Sequence, residues 1–260
     1  MNKKPNILYI MTDQQSAHMM GCAGTKWVDT PNLDKLARKG ILFNRAYCSN
    51  PVCIPSRFSL FTGRLPEAMG LRSNDFKYLP SCDEKILSKG MGHEFTKGGY
   101  DCFYAGKQHF PGYKGEDIGF TVVTNDERDA LADAAVDFLN SGHDKPWLFV
   151  TSFINPHDIC YKAITDYWKA IEKPLGRLEN NAAYRTMQKY NMIPDGISSK
   201  EFFRNICPPL PANNEKQEDE PGILDEFRSQ RQFKEYAAKN YSTEDWRMHR
   251  WIYKKLTEHV

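Results

Sequence analysis

Four runs of apolar residues along the chain predict β-strands. Nearly continuous apolar positions are typical of strands covered on both faces in a parallel sheet. Residues 5–11 and 100–105 show this pattern, and residues 147–154 show it most strongly. We also predict a strand over residues 41–47, where apolar and polar positions mix. These runs are far apart in the chain, so the sheet that they form must be built from distant segments.

Helical patterns separate the predicted strands. Thr30 is a natural N-cap, Pro31 suits the first helical position, and Gly40 ends the helix that they begin. Residues 126–140 place leucine, alanine and phenylalanine on one face and therefore predict an amphipathic helix. Strands that alternate with helices predict a parallel sheet wrapped by helices, which is an α/β fold.

The pattern changes after about residue 160. Residues 161–240 lack strand patterns and are rich in charge, and residues 213–222 have the composition of a solvated loop. A capping box at Ser242 predicts a last helix, which reaches Val260 without a stop signal. We therefore divide the chain into a strand-bearing part, 1–160, and a helical, loop-rich part, 161–260, and expect the natural chain to continue.

Composition excludes several classes of protein. Lysine plus arginine is 35 and aspartate plus glutamate is 33, and this balance argues against a basic nucleic-acid-binding face. The sequence has no apolar run long enough for a transmembrane helix, and the short run after the N-terminus does not read as a signal peptide. Seven cysteines without a CxxC pair suit a reducing compartment. We expect a cytoplasmic protein, or a periplasmic one if a signal was removed.

Three predicted strands end on polar side chains that can carry out chemistry. In chain order these are Asp13, Gln14, Lys107, His109 and His157. Ligands of open parallel sheets bind at the carboxyl ends of strands, so we expect these side chains to converge on one crevice. Taken singly, each has an ordinary explanation, such as an Asx turn for the aspartate or solvent exposure for a loop histidine.

The segment Cys53-Ile54-Pro55-Ser56-Arg57 adds a candidate nucleophile. Pro55 can open a helix, so we expect Cys53 just before a helix N-terminus, where unpaired N–H groups favour an anion. Arg57 adds a cation whose fork geometry suits oxyanions. The alternative is a buried, inert cysteine, which is the commonest fate of a free thiol.

This segment, with the Thr-Gly-Arg at 62–64, resembles the sulfatase signature of the alkaline phosphatase superfamily. The likeness is close over residues 5–160, although Gln108 replaces a usual tryptophan. It implies an alkaline-phosphatase-like α/β/α sandwich with a mainly parallel central sheet, incomplete at its C-terminus. Other stretches that resemble family motifs, in the family's order, are residues 6–14, 30–37, 105–109, 155–158 and 246–260.

The resemblance also implies a nucleophile and a metal. A maturation enzyme would oxidise Cys53 to formylglycine, whose hydrate attacks the sulfur of a sulfate ester of a small molecule or carbohydrate. Asp13 and Gln14, with residue 53, would bind a divalent metal, for which we expect Ca²⁺, with Mg²⁺ or Mn²⁺ as alternatives. Many family members have a second aspartate where Gln14 stands, so the ligand charge is reduced here.

The remaining residues take roles that the resemblance implies. Arg57 would hold the oxygen of the nucleophile, and Lys107 would neutralise the sulfate. His157 would protonate the departing alcohol, and His109 would deprotonate the second hydroxyl so that the sulfate is released. The family's further metal ligands and a later lysine should lie beyond residue 260. We therefore expect residues 1–260 alone to bind Ca²⁺ weakly.

Two other functions fit the same residues. The same fold and nucleophile could serve a phosphodiesterase or phosphonate monoester hydrolase, because phosphate and phosphonate need a similar cradle. A non-enzymatic alternative is a truncated product that cannot complete its metal site and only binds anions.

Overall fold

The chain forms two compact units in a computed structural model, which describes residues 4–75, 84–215 and 217–260. Unit 1 consists of Met1–Asp13 and Phe43–Ile154, and unit 2 of Gln14–Leu42 and Asn155–Val260. Residues 1–3, part of the basic N-terminus, and residue 216, in the predicted loop 213–222, lie outside the described residues. The division of the chain into parts 1–160 and 161–260 stays a prediction. No helix among the described residues is long and apolar enough to cross a membrane.

A four-stranded sheet lies at the centre of unit 1. Its strands are β1 (Ile7–Asp13), β2 (Asp101–Gly106), β3 (Thr121–Thr124) and β4 (Trp147–Pro156). Their order is β1-β4-β2-β3, and β2 is parallel to both β3 and β4. The strands predicted over 5–11, 100–105 and 147–154 are therefore confirmed, and so is the parallel α/β class. Strand β3 was not predicted, because four residues give too short a pattern.

Two expectations about strands are wrong. Among the described residues β1 is an edge strand, and the side chains of Leu8 and Ile10 are 40% and 55% exposed, so this part of the chain does not cover it on both faces. Residues 41–47 form no strand: they run as irregular chain, and Phe43 and Tyr47 are 76% and 88% exposed. Apolar residues alone do not make a strand; the segment also needs a neighbour for its backbone hydrogen bonds.

Eleven α-helices are seen in the described residues. Unit 1 holds α2 (Cys53–Thr62), α3 (Glu84–Leu87), α4 (Met91–Lys97) and α5 (Leu131–Asn140). Unit 2 holds α1 (Pro31–Lys39), α6 (Cys160–Ala170), α7 (Ala182–Tyr190), α8 (Ser199–Glu201), α9 (Ile223–Ser229), α10 (Gln232–Asn240) and α11 (Thr243–His259). A π-helical turn, Phe202–Ile206, follows α8, and short 3₁₀ turns occupy Gly21–Ala23, Pro66–Met69, Gly115–Ile118, His157–Ile159 and Gly176–Leu178.

The local helix signals predict these elements well. Helix α1 begins at Pro31 and ends at Lys39 with Gly40 as its C-cap, and α11 begins with the capping box between Ser242 and Asp245. The helix predicted over 126–140 starts later, at Leu131. The reason is that the Asp126 carboxylate accepts hydrogen bonds from two backbone amides ahead of it and forms a turn there.

Helices cover both faces of the sheet in unit 1. Tyr104 and Val150 belong to an aromatic-rich core that includes Phe58 of α2. Their neighbours on the strands point the other way, and Phe149 packs with Leu131 of α5. This alternation gives a helix–sheet–helix sandwich and fixes the start of α2 beside the carboxyl ends of the strands. The core of unit 2 is formed mainly by α7, the π-helical turn and α11.

Candidate functional site

Unit 1 brings four of the predicted site residues together. Asp13 ends β1, Cys53 is the first residue of α2, Arg57 lies one turn further along it, and Lys107 directly follows β2. The segments that carry them are up to 94 residues apart in sequence. The cluster is therefore a product of the sheet topology, and Asp13 and Lys107 meet there as expected for strand-end residues.

Asp13 is the electrostatic centre of this cluster. Its Oδ2 lies 3.1 Å from Arg57 Nη2 and 2.8 Å from Lys107 Nζ, and all three side chains are more than nine-tenths buried. The Cys53 thiol donates to the other carboxylate oxygen, with an Sγ–Oδ1 distance of 3.6 Å. Buried charges are costly unless they are paired, so one carboxylate stabilises two cations next to the thiol.

Three further acceptors fix the Arg57 guanidinium. Nη1 donates to Ser152 Oγ at 2.9 Å, to the Lys107 carbonyl at 2.7 Å and to Tyr104 Oη at 3.2 Å. The Tyr104 hydroxyl donates to the same carbonyl at 2.6 Å, and burial raises the pKa of this phenol. Because every contact restricts the planar fork, Arg57 is held in one orientation.

Sequence reasoning missed Tyr104 and Ser152. Both lie inside strands that read as apolar, and both are fully buried. A hydroxyl group in a strand that is covered on both faces needs a hydrogen-bond partner. That requirement was the only feature of the sequence that could have indicated a role for these two residues.

Helix α2 presents its N-terminus at Cys53. Val52 is the N-cap, so Cys53 is the first helical residue and not the residue before the helix, as we expected. Pro55 falls in the first turn, where a missing N–H costs nothing. The Asn74 side chain accepts from the Ile54 amide at 2.9 Å, so it satisfies one of the unpaired donors of this terminus. Asn74 is a third residue, after Tyr104 and Ser152, that the sequence did not indicate.

A glycine sets the position of Lys107. Gly106 has φ +90°, and a Cβ added there would lie 2.3 Å from the carbonyl oxygen of Ser152. The next amide, Lys107 N, donates to that same oxygen at 2.8 Å. Only glycine allows this approach of β2 to β4, which directs the lysine side chain towards Asp13.

The residues after Lys107 have different environments. Gln108, in the position of the expected tryptophan, bridges Asn125 Oδ1 at 2.6 Å and the Gly115 amide at 2.7 Å. His109 is half-buried and has φ +52°, a left-handed conformation uncommon for a residue with a side chain. Gln108 therefore supports the loop that carries Lys107 and His109.

Unit 2 contains the other two candidates. Gln14 also has a left-handed backbone, and its carbonyl accepts from Tyr253 Oη at 2.5 Å. His157 begins a 3₁₀ turn and is half-buried, with its Nδ1 4.0 Å from Cys160 Sγ. That these residues join the cluster of unit 1 stays a prediction.

Comparisons with known proteins agree on one family. The model of the family described as Sulfatase matches residues 5–245. The uncharacterized sulfatase YidJ of Escherichia coli is 41% identical over 111 residues, which cover 43% of this chain and 21% of that protein. The Delta 4,5-hexuronate-2-O-sulfatase of Bacteroides thetaiotaomicron is 28% identical over 172 residues, which cover 61% of this chain and 35% of that protein.

A solved structure shows the same fold. A 2-O GAG sulfatase superposes with a TM-score of 0.72 at 22% identity, over 99% of this chain and 52% of that one. The predicted alkaline-phosphatase-like architecture is therefore confirmed. The chain spans about half the length of this structure, and its alignments span about a third or less of the two relatives.

Proposed function

The chain belongs to the sulfatase family, and from this premise we propose that its protein hydrolyses sulfate esters with a nucleophile derived from Cys53. One observation carries the proposal: the thiol of Cys53, the buried cations Arg57 and Lys107, and the carboxylate of Asp13 share one cluster. A nucleophile beside two fixed cations suits attack on a group that carries negative charge on several oxygens.

Charge supports the role of the two cations. The oxygens of a sulfate ester gain negative charge as the S–O bond to the alcohol breaks. Arg57 is already oriented by its hydrogen bonds, so it can hold the oxygen of the nucleophile without reorganising. Lys107 is a compact cation near the same carboxylate, and in this proposal it neutralises the sulfate oxygens. The N-terminus of α2 adds a partial positive charge at residue 53.

The donor set fits a hard divalent cation. Asp13 supplies a buried carboxylate and Gln14 an amide oxygen, and oxygen ligands of this kind suit Ca²⁺, with Mg²⁺ or Mn²⁺ as alternatives. A bound metal would polarise a sulfate oxygen and lower the pKa of a hydroxyl on residue 53. In the described structure Arg57 and Lys107 balance the charge of Asp13, so these cations would share the carboxylate with the metal.

The two histidines complete the proposed reaction. A maturation enzyme oxidises Cys53 to formylglycine, and one hydroxyl of the hydrated aldehyde attacks sulfur. His157 gives its proton to the departing alcohol oxygen, and His109 later takes the proton of the second hydroxyl so that the sulfate leaves. For the alcohol we propose a carbohydrate, because the Bacteroides relative is named for a sulfated hexuronate.

The test is to express the natural protein that contains this chain together with a formylglycine-generating enzyme. Peptide mass spectrometry should show an aldehyde in place of the Cys53 thiol, and the protein should release sulfate from 4-nitrophenyl sulfate. Cys53→Ala should abolish this release, because it removes the nucleophile. Cys48→Ala is the matched control and should retain it, since Cys48 is exposed and five residues outside the motif.

Two results would refute the proposal. One is an unmodified Cys53 after co-expression with an active maturation enzyme. The other is a converted protein that cleaves 4-nitrophenyl phosphate or a phosphonate ester much faster than the sulfate, which would favour the alternative hydrolase activity.

A further inference from the structure

Unit 2 contains a cavity whose charged lining residues are all basic. It has a volume of about 640 Å³, and its basic and aromatic lining residues are His18, Lys26, Trp27, Arg250 and Tyr253. None of its lining residues in the described part of the chain is acidic. In a chain with nearly equal numbers of acids and bases, a concave surface with only basic charge favours an anionic ligand.

Arg250 is the centre of this charge. Its guanidinium makes no hydrogen bond or ion pair with any residue that the structure describes, and its Nε is buried without a partner. The guanidinium lies over the ring of Trp27, with 4.4 Å from Cζ to the ring centroid. Burial lowers the pKa of Arg250 and is the largest influence on it, ahead of the opposite effects of Cys207 and Tyr253. A half-buried cation without a partner is costly, and an anionic ligand would offset that cost.

The charged residues that line a larger cavity of unit 2 differ from those of the cavity that contains Arg250. Its volume is about 920 Å³, and it is also lined by basic residues, among them Arg228 and Lys239. Two of these cations are paired within the protein: Arg228 lies 2.6 Å from Glu220 and Lys239 lies 2.5 Å from Glu235. A third cation, Lys234, lies 3.9 Å from the ring centroid of Phe227, but the acidic residues Asp225, Glu226 and Glu235 also line that cavity. Its lining therefore carries charges of both signs and does not favour an anionic ligand as the smaller cavity does.

The aromatic residues of the smaller cavity are held in place. Tyr253 Oη donates to the Gln14 carbonyl and accepts from the Ser16 amide at 2.8 Å, so its ring is fixed at the wall. Trp27 is half-buried under the guanidinium of Arg250. Rigid aromatic rings offer an apolar surface that suits the C–H face of a sugar ring, and the neighbouring cation suits an acidic substituent.

We propose that this cavity binds an anionic sugar unit, with its ring against Trp27 and its carboxylate or sulfate group on Arg250. The inference rests on the proposed function in one respect: the sugar unit would be a part of the carbohydrate other than the ester that is cleaved. Binding itself needs no turnover, so it can be measured separately from catalysis.

The test measures binding by isothermal titration calorimetry in a Cys53→Ala background, which cannot form the nucleophile. The probes are glucuronic acid, N-acetylglucosamine 6-sulfate, neutral glucose and inorganic sulfate. At least one of the two anionic sugars should bind, and more tightly than glucose or free sulfate; the tighter one identifies the acidic group. Arg250→Gln should weaken that binding at least tenfold, and Trp27→Leu should weaken it as well. Arg177→Gln, an exposed arginine of the same unit, is the matched control and should leave it unchanged.

Each contrary result overturns the proposal. The first is that neither anionic sugar binds. The second is that Arg250→Gln, with an unchanged melting temperature, binds the sugar as tightly as the protein without this substitution. The third is that glucose or free sulfate binds as tightly as the anionic sugar, and in the case of sulfate the site would be a simple ion site. A failure of sulfatase activity with sugar binding intact would instead refute the proposed function and leave this site standing.

Discussion

A buried arginine of unit 1 and a half-buried arginine of unit 2 lie in opposite electrostatic environments. Arg57 in unit 1 is 3% exposed, pairs with Asp13 and donates to three further oxygens. Arg250 in unit 2 lies on Trp27 and has no hydrogen-bonding partner among the described residues. Arg57 lies in the polar cluster around Asp13, and Arg250 lines the smaller cavity of unit 2. The comparison teaches that the charge of Arg57 is balanced within the fold before any ligand binds, whereas the charge of Arg250 has no such counter-ion among the described residues.

The largest expected effect follows from removing the carboxylate of unit 1. Asp13→Ala leaves Arg57 and Lys107 buried without a counter-charge and should lower the free energy of unfolding by about 3–5 kcal/mol. Urea denaturation followed by circular dichroism measures this. Asp13→Asn keeps the size of the side chain and one acceptor oxygen, so its loss should be smaller.

An exposed ion pair of the same unit is the control for Asp13. Lys145 and Asp101 lie 3.3 Å apart with side chains 64% and 46% exposed. Asp101→Ala should therefore cost at most about 1 kcal/mol. If Asp13→Ala costs no more than Asp101→Ala, the buried cluster does not stabilise the fold and the contrast between the arginines fails.

A smaller effect is expected from one hydroxyl of the Arg57 network. Ser152→Ala removes the Oγ that accepts from Nη1 but leaves the carbonyl of Lys107 as an acceptor. We expect a loss of about 1.5 kcal/mol in the free energy of unfolding, the lower end for a hydrogen bond to a charged group. Ser88→Ala, at an exposed serine, should change it by less than about 0.5 kcal/mol. Equal effects at the two serines would contradict the network.

The smallest effect is expected at the other arginine. Arg250→Gln breaks no hydrogen bond among the described residues, so without ligand it should change the free energy of unfolding by less than about 0.5 kcal/mol. Thermal unfolding monitored by calorimetry measures it. A loss of about 2 kcal/mol or more would show that Arg250 stabilises unit 2 by itself, and the contrast with Arg57 would disappear.

Local signals of the sequence predicted the helices best. Pro31 and Gly40 bound α1, and the capping box at Ser242 begins α11, because these residues act on backbone groups within one turn. Strands depend on distant neighbours instead. Residues 41–47 carry strand-forming residues but find no partner in the described chain, and the short β3 pairs with β2 in spite of its weak pattern.

The residues of the candidate site also fall into those that the sequence indicated and those that it did not. Sequence motifs indicated Asp13, Cys53, Arg57 and Lys107, because side chains that can perform chemistry stand out at strand ends and helix starts. The residues that orient them did not stand out. Ser152 looks like any small residue of a buried strand, and its role follows only from the approach of β4 to the Arg57 side chain.

The neighbouring positions of β1 and β4 have a consequence for biosynthesis. The last residue of β1 is Asp13 and the first of β4 is Trp147, so the ribosome adds 134 residues before the two strands can meet. At the usual rate of about 5–20 residues per second, this takes roughly 7–27 s. During that interval the apolar β1 has no sheet neighbour, and unpaired strands of this kind aggregate readily. The order of the described strands therefore leaves β1 without its neighbour until β4 has been synthesised.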